Sequence, residues 1–205
     1  MKIFVSVAAA AALFGPAANA SADVRITEYM YSGTDGEFVE FTNFGTGAID
    51  LAGWSYDDNS QTPGVFVLSG VLAAGESLVI TESDAEIFRT AWGLSASVQI
   101  LGGYTNNLGR SDEVNLFNAA GDLADRLTYS DQLFAGSIRT QGASGNPGNI
   151  GANDILSWQL SAIGDAFGSV ASTGGDIGNP GVLIPAPGAV ALLGLGGLVA
   201  VRRRR

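Results

Sequence analysis

The sequence contains neither cysteine nor histidine, and its one lysine is Lys2. Each absence removes chemistry. Without cysteine there are no disulfides and no thiol nucleophile. Without histidine there is no Ser-His-Asp triad, and no zinc site of the His/Cys type. No side chain has an unperturbed pKa between about 5 and 8, so the charge should stay nearly flat across neutral pH. Dinucleotide-binding and P-loop glycine signatures are missing, and nucleotide cradling has no support. Carboxylate-only catalysis of the glycosidase kind stays formally open, but twenty acidic residues supply many chance pairs.

Positive charge is scarce and misplaced. Four of the ten basic residues are Arg202, Arg203, Arg204 and Arg205, at the end. Between Asp23 and Asp176 all twenty acids face only Arg25, Arg89, Arg110, Arg126 and Arg139. Such a body repels nucleic acid phosphates and anionic lipid, and no nucleic acid partner is expected. It suits solubility, divalent cations or basic partners.

The two ends explain the rest of the charge pattern. Lys2 precedes an apolar run from Ile3 to Phe14, and small-residue sites follow at Ala18-Asn19-Ala20 and Ala20-Ser21-Ala22. Residues 1–22 read as a secretory signal peptide, cut after Ala20 or Ala22. At the other end, Gly188 to Val201 carries no charge. As a helix this run reaches about 21 Å, short of a hydrocarbon core of about 30 Å. The four arginines should stop translocation and stay cytoplasmic, leaving the body outside. A permanent C-terminal anchor and a transient one are both open.

The body, residues 23–181, should be one domain, with a core at 24–129 and a looser extension at 130–181. Strand-like segments such as `DVRITEYM`, `EFVEFTN`, `SLVIT`, `EVNLFN` and `LADRLTY` are separated by turn material such as `SGTDGE` and `NAAGD`. Short strands at this spacing predict an all-β sandwich. In the first strand, Val24, Ile26 and Glu28 alternate with Arg25, Thr27 and Tyr29. One helix is expected in `SDAEIFRTAWG`, capped by Ser83 or Asp84, striped by Ile87, Phe88, Ala91 and Trp92, and ended by Gly93. After Tyr129, `GNPG` occurs at Gly145 and again at Gly178, with too little matching around it to make a repeat. This stretch is either a late strand packed on the sandwich or a partly mobile linker. Trp158 favours packing.

Two resemblances then emerge. Glu28, the run Phe38-Val39-Glu40-Phe41 with Asn43, and Asp50-Leu51-Ala52-Gly53-Trp54 resemble the opening of a lamin-tail domain. `LAAGESLVI` and `GRSDEVNLFNAAGDLADRLTY` resemble its later turn and last hairpin, and `GNPG` at Gly178 resembles a closing turn of bacterial members, so the likeness runs from Val24 to Tyr129 and more weakly to Gly181. This implies an immunoglobulin-like β-sandwich, of a family whose bacterial members usually sit on secreted or surface proteins. The tail `PAPGAVALLGLGGLVAVRRRR` resembles the PEP-CTERM sorting signal, with Pro185, Ala186 and Pro187 as its motif and Ala186 in place of the family glutamate. That implies an exosortase-type membrane peptidase as partner, passage through the inner membrane, and delivery to the cell surface or extracellular matrix.

Site expectations are modest. Trp54 should plug the core, and Asp50 should make an Asx-type turn bond. If the first two strands are neighbours, Glu28 and Glu40 could share a sheet face, where two carboxylates would raise a pKa or bind a cation. The plainer expectation is that each accepts hydrogen bonds, with Arg25 or Arg126 as candidate partners. Calcium is the one cofactor the residues allow. Asp57, Asp58 and Asn59 form an oxygen-rich loop, with Asp35, Glu37 and Asp84 as further candidates, though a solvated turn explains each as well. Tyr29, Tyr31 and Tyr104 would suit sugar rings if exposed, though tyrosine in strands is more often half-buried packing. The expected function is a non-enzymatic, exported structural or binding domain. The alternatives are a secreted carboxylate-based hydrolase and a calcium-stabilised surface protein.

Overall fold

A computed structural model of the chain describes residues 23–182. The N-terminal signal and the C-terminal segment with Pro185, Ala186, Pro187 and Arg202 to Arg205 lie outside the described residues.

The strands in chain order are β1 (Val24–Met30), β2 (Phe38–Asn43), β3 (Ile49–Asp50), β4 (Ser55–Asp57), β5 (Phe66–Val67), β6 (Val71–Leu72) and β7 (Ser77–Thr81). After the helix α1 (Ala85–Trp92) come β8 (Gln99–Leu101), β9 (Ser111–Phe117), β10 (Leu123–Ser130), β11 (Gly145–Asn146), β12 (Gln159–Leu160), β13 (Val170–Ala171) and β14 (Ile177–Gly178). They build a six-stranded sheet, β12-β11-β1-β2-β7-β8, and a four-stranded sheet, β10-β9-β4-β5. Strands β3 and β6 form a small ladder, as do β13 and β14. The expected sandwich is there, mostly strand with one short α-helix.

The two sheets enclose the main core. Tyr29, Val39, Phe41, Leu51, Trp54, Tyr56, Leu78, Val114, Leu116, Leu127 and Tyr129 all pack in it. Trp54 takes the core position expected of it and is 5% exposed. Aromatic rings meet in tilted and edge-on pairs, such as Tyr29 with Tyr129 at 4.5 Å between centroids.

The outer face of the large sheet is covered too. Helix α1 begins at Asp84, whose Oδ1 accepts the amides of Glu86 and Ile87 at 2.9 and 3.1 Å. It ends at Gly93, in the left-handed conformation with φ 63°. Its buried face is Phe88, Ala91 and Trp92, packed on Met30, Phe38 and Val79. Ile87 departs from the expected stripe and is 65% exposed. A step of 100° per residue carries it off the face that positions 88, 91 and 92 share.

The stretch after Tyr129 packs on the sandwich. Gly145 of β11 pairs with Tyr29 of β1, extending the large sheet. Trp158 is buried, its ring 5.4 Å from that of Tyr29. The residues that lead into the two `GNPG` copies lie side by side. The Ser144 amide donates to the Ile177 carbonyl at 2.8 Å and the Ile177 amide to the Gly142 carbonyl at 3.0 Å, in parallel sense. Short, loop-rich pieces thus form a lid over the β1–β2 outer face.

Candidate functional site

Under that lid lie two carboxylates. In the β1–β2 register Ile26 faces Phe41, but Glu28 faces Glu40, so Thr27 is an extra residue in β1. Such a bulge reverses the side-chain alternation beyond it. Strict alternation would send Glu28 into the core with Val24 and Ile26. The bulge turns it to the outer face instead, beside Glu40, and swings Tyr29 into the core. Glu28 is 0% and Glu40 1% exposed.

Hydroxyls and backbone amides surround the pair. Glu28 Oε1 accepts from Ser144 Oγ at 2.5 Å and from the Asn179 amide at 2.8 Å. Glu40 Oε1 accepts from Thr27 Oγ1 at 2.6 Å and Thr42 Oγ1 at 3.3 Å, and its Oε2 from the Gly181 amide at 2.5 Å. Behind these stand Ser77, bonded to Thr42, and Ser161, bonded to Ser144 and Asn146. Glu28 Oε2 has no hydrogen-bond partner. Burial pushes the Glu28 carboxyl well above the usual range, and the neighbouring Glu40 charge adds to this. Burial raises Glu40 as well, against the lowering effect of Thr27 and Gly181.

The expected arginine partners are not there. Arg25 reaches Asp23 and the Ala124 carbonyl, and Arg126 reaches Asn115. Both guanidinium groups are held elsewhere by closer acceptors. Hydroxyl and amide donors do the work instead, and most come from residues 144–181. Sequence reading passed over Ser144, Ser161, Asn179 and Gly181. The doubled `GNPG` was the signal that could have found them.

The other motif residues serve turns and packing. Asn43 Nδ2 donates to the carbonyls of Gly47, Leu72 and Ala73, and its Oδ1 accepts from the Gly45 amide. It ties three backbone segments together. Asp50 Oδ1 accepts from the Ala52 amide at 2.9 Å, the expected Asx turn. Gly53 holds φ 83°, with Ala119 beneath it, in a turn that suits glycine.

The candidate calcium residues are already engaged. Asp57 is 1% exposed and accepts from Ser60 Oγ and the Thr62 amide. Asp58 accepts from the amide of Asn59. Asp35 accepts from the Gly174 amide, Glu37 from the Leu108 amide, and Asp84 caps α1. Among the described residues no three acidic side chains are grouped so as to hold a metal ion. The packing reading of the tyrosines holds and the sugar-binding one does not: Tyr29, Tyr31 and Tyr104 are 0%, 6% and 6% exposed, taken into the core by the β1 bulge and by ring packing.

Two carboxylates sealed this way reach no dissolved substrate. They can hold a proton, and they can order the backbone that covers them. Among the described residues no helix is long and apolar enough to cross a membrane.

Comparison with known proteins agrees with this architecture. None of the curated proteins matches the chain. The family model of the lamin tail domain matches residues 17–131. It covers both sheets up to β10 and stops before the lid. The chain therefore belongs to the lamin tail domain family, with an immunoglobulin-like β-sandwich as its body.

Proposed function

We propose that this protein is an exported, non-catalytic module of the bacterial cell surface or extracellular matrix. Residues 1–22 direct export. Residues 182–205 hold the chain at the inner membrane until an exosortase-type peptidase sorts it. The sandwich then acts as a structural or binding domain.

One observation carries the non-catalytic part. The most buried acids, Glu28, Glu40 and Asp57, are spent on hydrogen bonds inside the fold. Support for a partner of positive charge comes from the arginines. Arg25, Arg89, Arg110, Arg126 and Arg139 each sit within ion-pair distance of a carboxylate. The remaining acids leave a surface that repels polyanions and attracts basic or divalent partners.

The intact mass of the mature protein from its host tests the reading. The expected chain starts at Ser21 or Asp23 and ends near Pro185 to Pro187. Replacing Arg202 to Arg205 by alanine should lower the fraction retained or processed. An uncut chain in the cytosol overturns the proposal. So does polysaccharide turnover that disappears when one surface glutamate is changed.

A further inference from the structure

The Glu28–Glu40 pair has the geometry of a clasp with one proton to keep. The two residues are opposite each other in register, on one face of adjacent strands. Neither reaches solvent, and among the described residues no arginine is bonded to either. Two bare negative charges on facing residues of a dry interior are strongly unfavourable, so one is removed by a proton or offset by a cation.

The hydrogen bonds say which oxygen takes the proton. Glu28 Oε1 and both oxygens of Glu40 already accept from hydroxyl or amide donors. Glu28 Oε2 accepts from none. Protonation there sacrifices no hydrogen bond and leaves Glu40 as the charged acceptor. A cation would need six to eight oxygens for calcium. Here the space is closed: a Cβ on Gly178 would come within 2.8 Å of Glu28 Oε1, 2.9 Å of Ser144 Oγ and 3.1 Å of the Trp92 ring.

The groups around the pair add no compensating charge. Strand β7 contributes Ser77, β11 Asn146 with Ser144 just before it, and the end of α1 contributes Trp92. Arg89 of α1 turns away to Glu86 and the Ser95 carbonyl. Asp165, from the loop before β13, acts on Glu28 as a further negative charge. Asp176, before β14, accepts from the Asp35 amide.

What the pair holds is the last part of the described chain. The amides of Asn179 and Gly181, in the second `GNPG`, are its backbone donors. We propose that Glu28 and Glu40 form a proton-holding clasp that pins residues 176–182 over the β1–β2 face, and that loss of the proton as pH rises releases this strap.

The sign follows from the position of the proton. A carboxyl whose proton is held more tightly in the folded state contributes most below its ordinary range, and the contribution fades as pH rises. The strap is thus held while the pair keeps its proton and loosens as pH rises through the raised value.

Hydrogen–deuterium exchange of the full chain tests this, followed at the Asn179 and Gly181 amides and corrected for the pH dependence of intrinsic exchange. As pH rises past the point where the proton is lost, their protection should fall by roughly tenfold per pH unit. The β1–β2 ladder should stay protected. Glu28→Gln, neutral at every pH, should flatten the profile. Strap protection that is independent of pH, that falls together with the whole sheet, or that behaves alike in E28Q and the parent chain overturns the clasp. A strap that responds to calcium or to chelator at fixed pH also overturns it, in favour of a bound cation. Should E28Q fail to fold, infrared spectroscopy decides. A carbonyl band of a protonated carboxylic acid at about pH 6 in Glu37→Gln, where the other raised carboxyl cannot contribute it, supports the clasp, and its absence there sinks it.

Discussion

The amide of Gly181 donates to the side chain of Glu40 across 141 positions of sequence. The bond joins the second strand of the family fold to a segment outside the residues that the family model matches. Its neighbour, the Asn179 amide on Glu28, does the same for the first strand. The outer face of the large sheet is therefore finished by residues outside the matched domain.

Gly178 lies at the tightest point of that cover. Gly178→Ala places a methyl group against Glu28, Ser144 and Trp92. Overpacking of this kind costs about 1–3 kcal/mol. Urea denaturation should show the loss, and protection of the Asn179 amide should fall with it. An unchanged midpoint would mean the lid adjusts freely.

Helix α1 offers a paired comparison. Phe88 is fully buried, with Phe38 at 5.4 Å and Trp92 at 5.9 Å between ring centroids. Phe88→Ala should cost about 3–5 kcal/mol. Ile87→Ala, next to it on the exposed side, should stay within about 0.5 kcal/mol. Thermal melts of both variants check the assignment of faces.

Glu37 gives a pH dependence of its own. Both its oxygens face the Leu108 amide, at 2.9 and 3.0 Å. Burial, with the nearby charges of Glu82, Asp112 and Asp58, raises its carboxyl to about 8. A raised acid stabilises fully below its ordinary value of 4.5 and loses that contribution as pH passes through about 8. Stability should therefore decline from mildly acid to mildly alkaline pH. In Glu37→Gln the decline should be smaller, because the amide oxygen still accepts from Leu108 and no longer ionises. Equal slopes for the two proteins would contradict this.

Asp57 should be a turn anchor. Asp57→Ala removes the acceptor of the Ser60 hydroxyl and the Thr62 amide. Ser60 and Thr62 lie at the surface, where water replaces part of what is lost, so the cost should be about 0.5–1.5 kcal/mol per bond. Millimolar calcium should leave the Tm of the parent chain where it is. A rise that D57A abolishes would restore calcium as a ligand.

How far these features could be read from the letters depended on their range. The caps of α1 and the Asx turn at Asp50 were legible because each is settled within a few residues. Strands β1, β2, β9 and β10 announced themselves by alternation and β-branched content. Ile87 was misplaced because it adjoins true core positions, and only the neighbour the helix packs on selects the face. The bulge at Thr27 was invisible, since nothing local marks a one-residue slip in register. With it went the side to which Glu28 and Tyr29 point. The donors to the glutamates were hidden for a different reason. They are glycine, asparagine and serine in loop-like sequence, and they gain meaning only after distant segments meet.

The strap also sets an order of events during synthesis. Glu28 emerges from the ribosome early, and its partner amide at Asn179 follows 151 residues later. Until then both carboxylates are hydrated and charged, and the first strand has an open edge where β11 will dock. A chain threaded outward from its N-terminus completes this fold only when nearly all of it has crossed. Contacts of such long sequence separation are slow to form. A tail that holds the chain at the membrane would give the strap time to close before release.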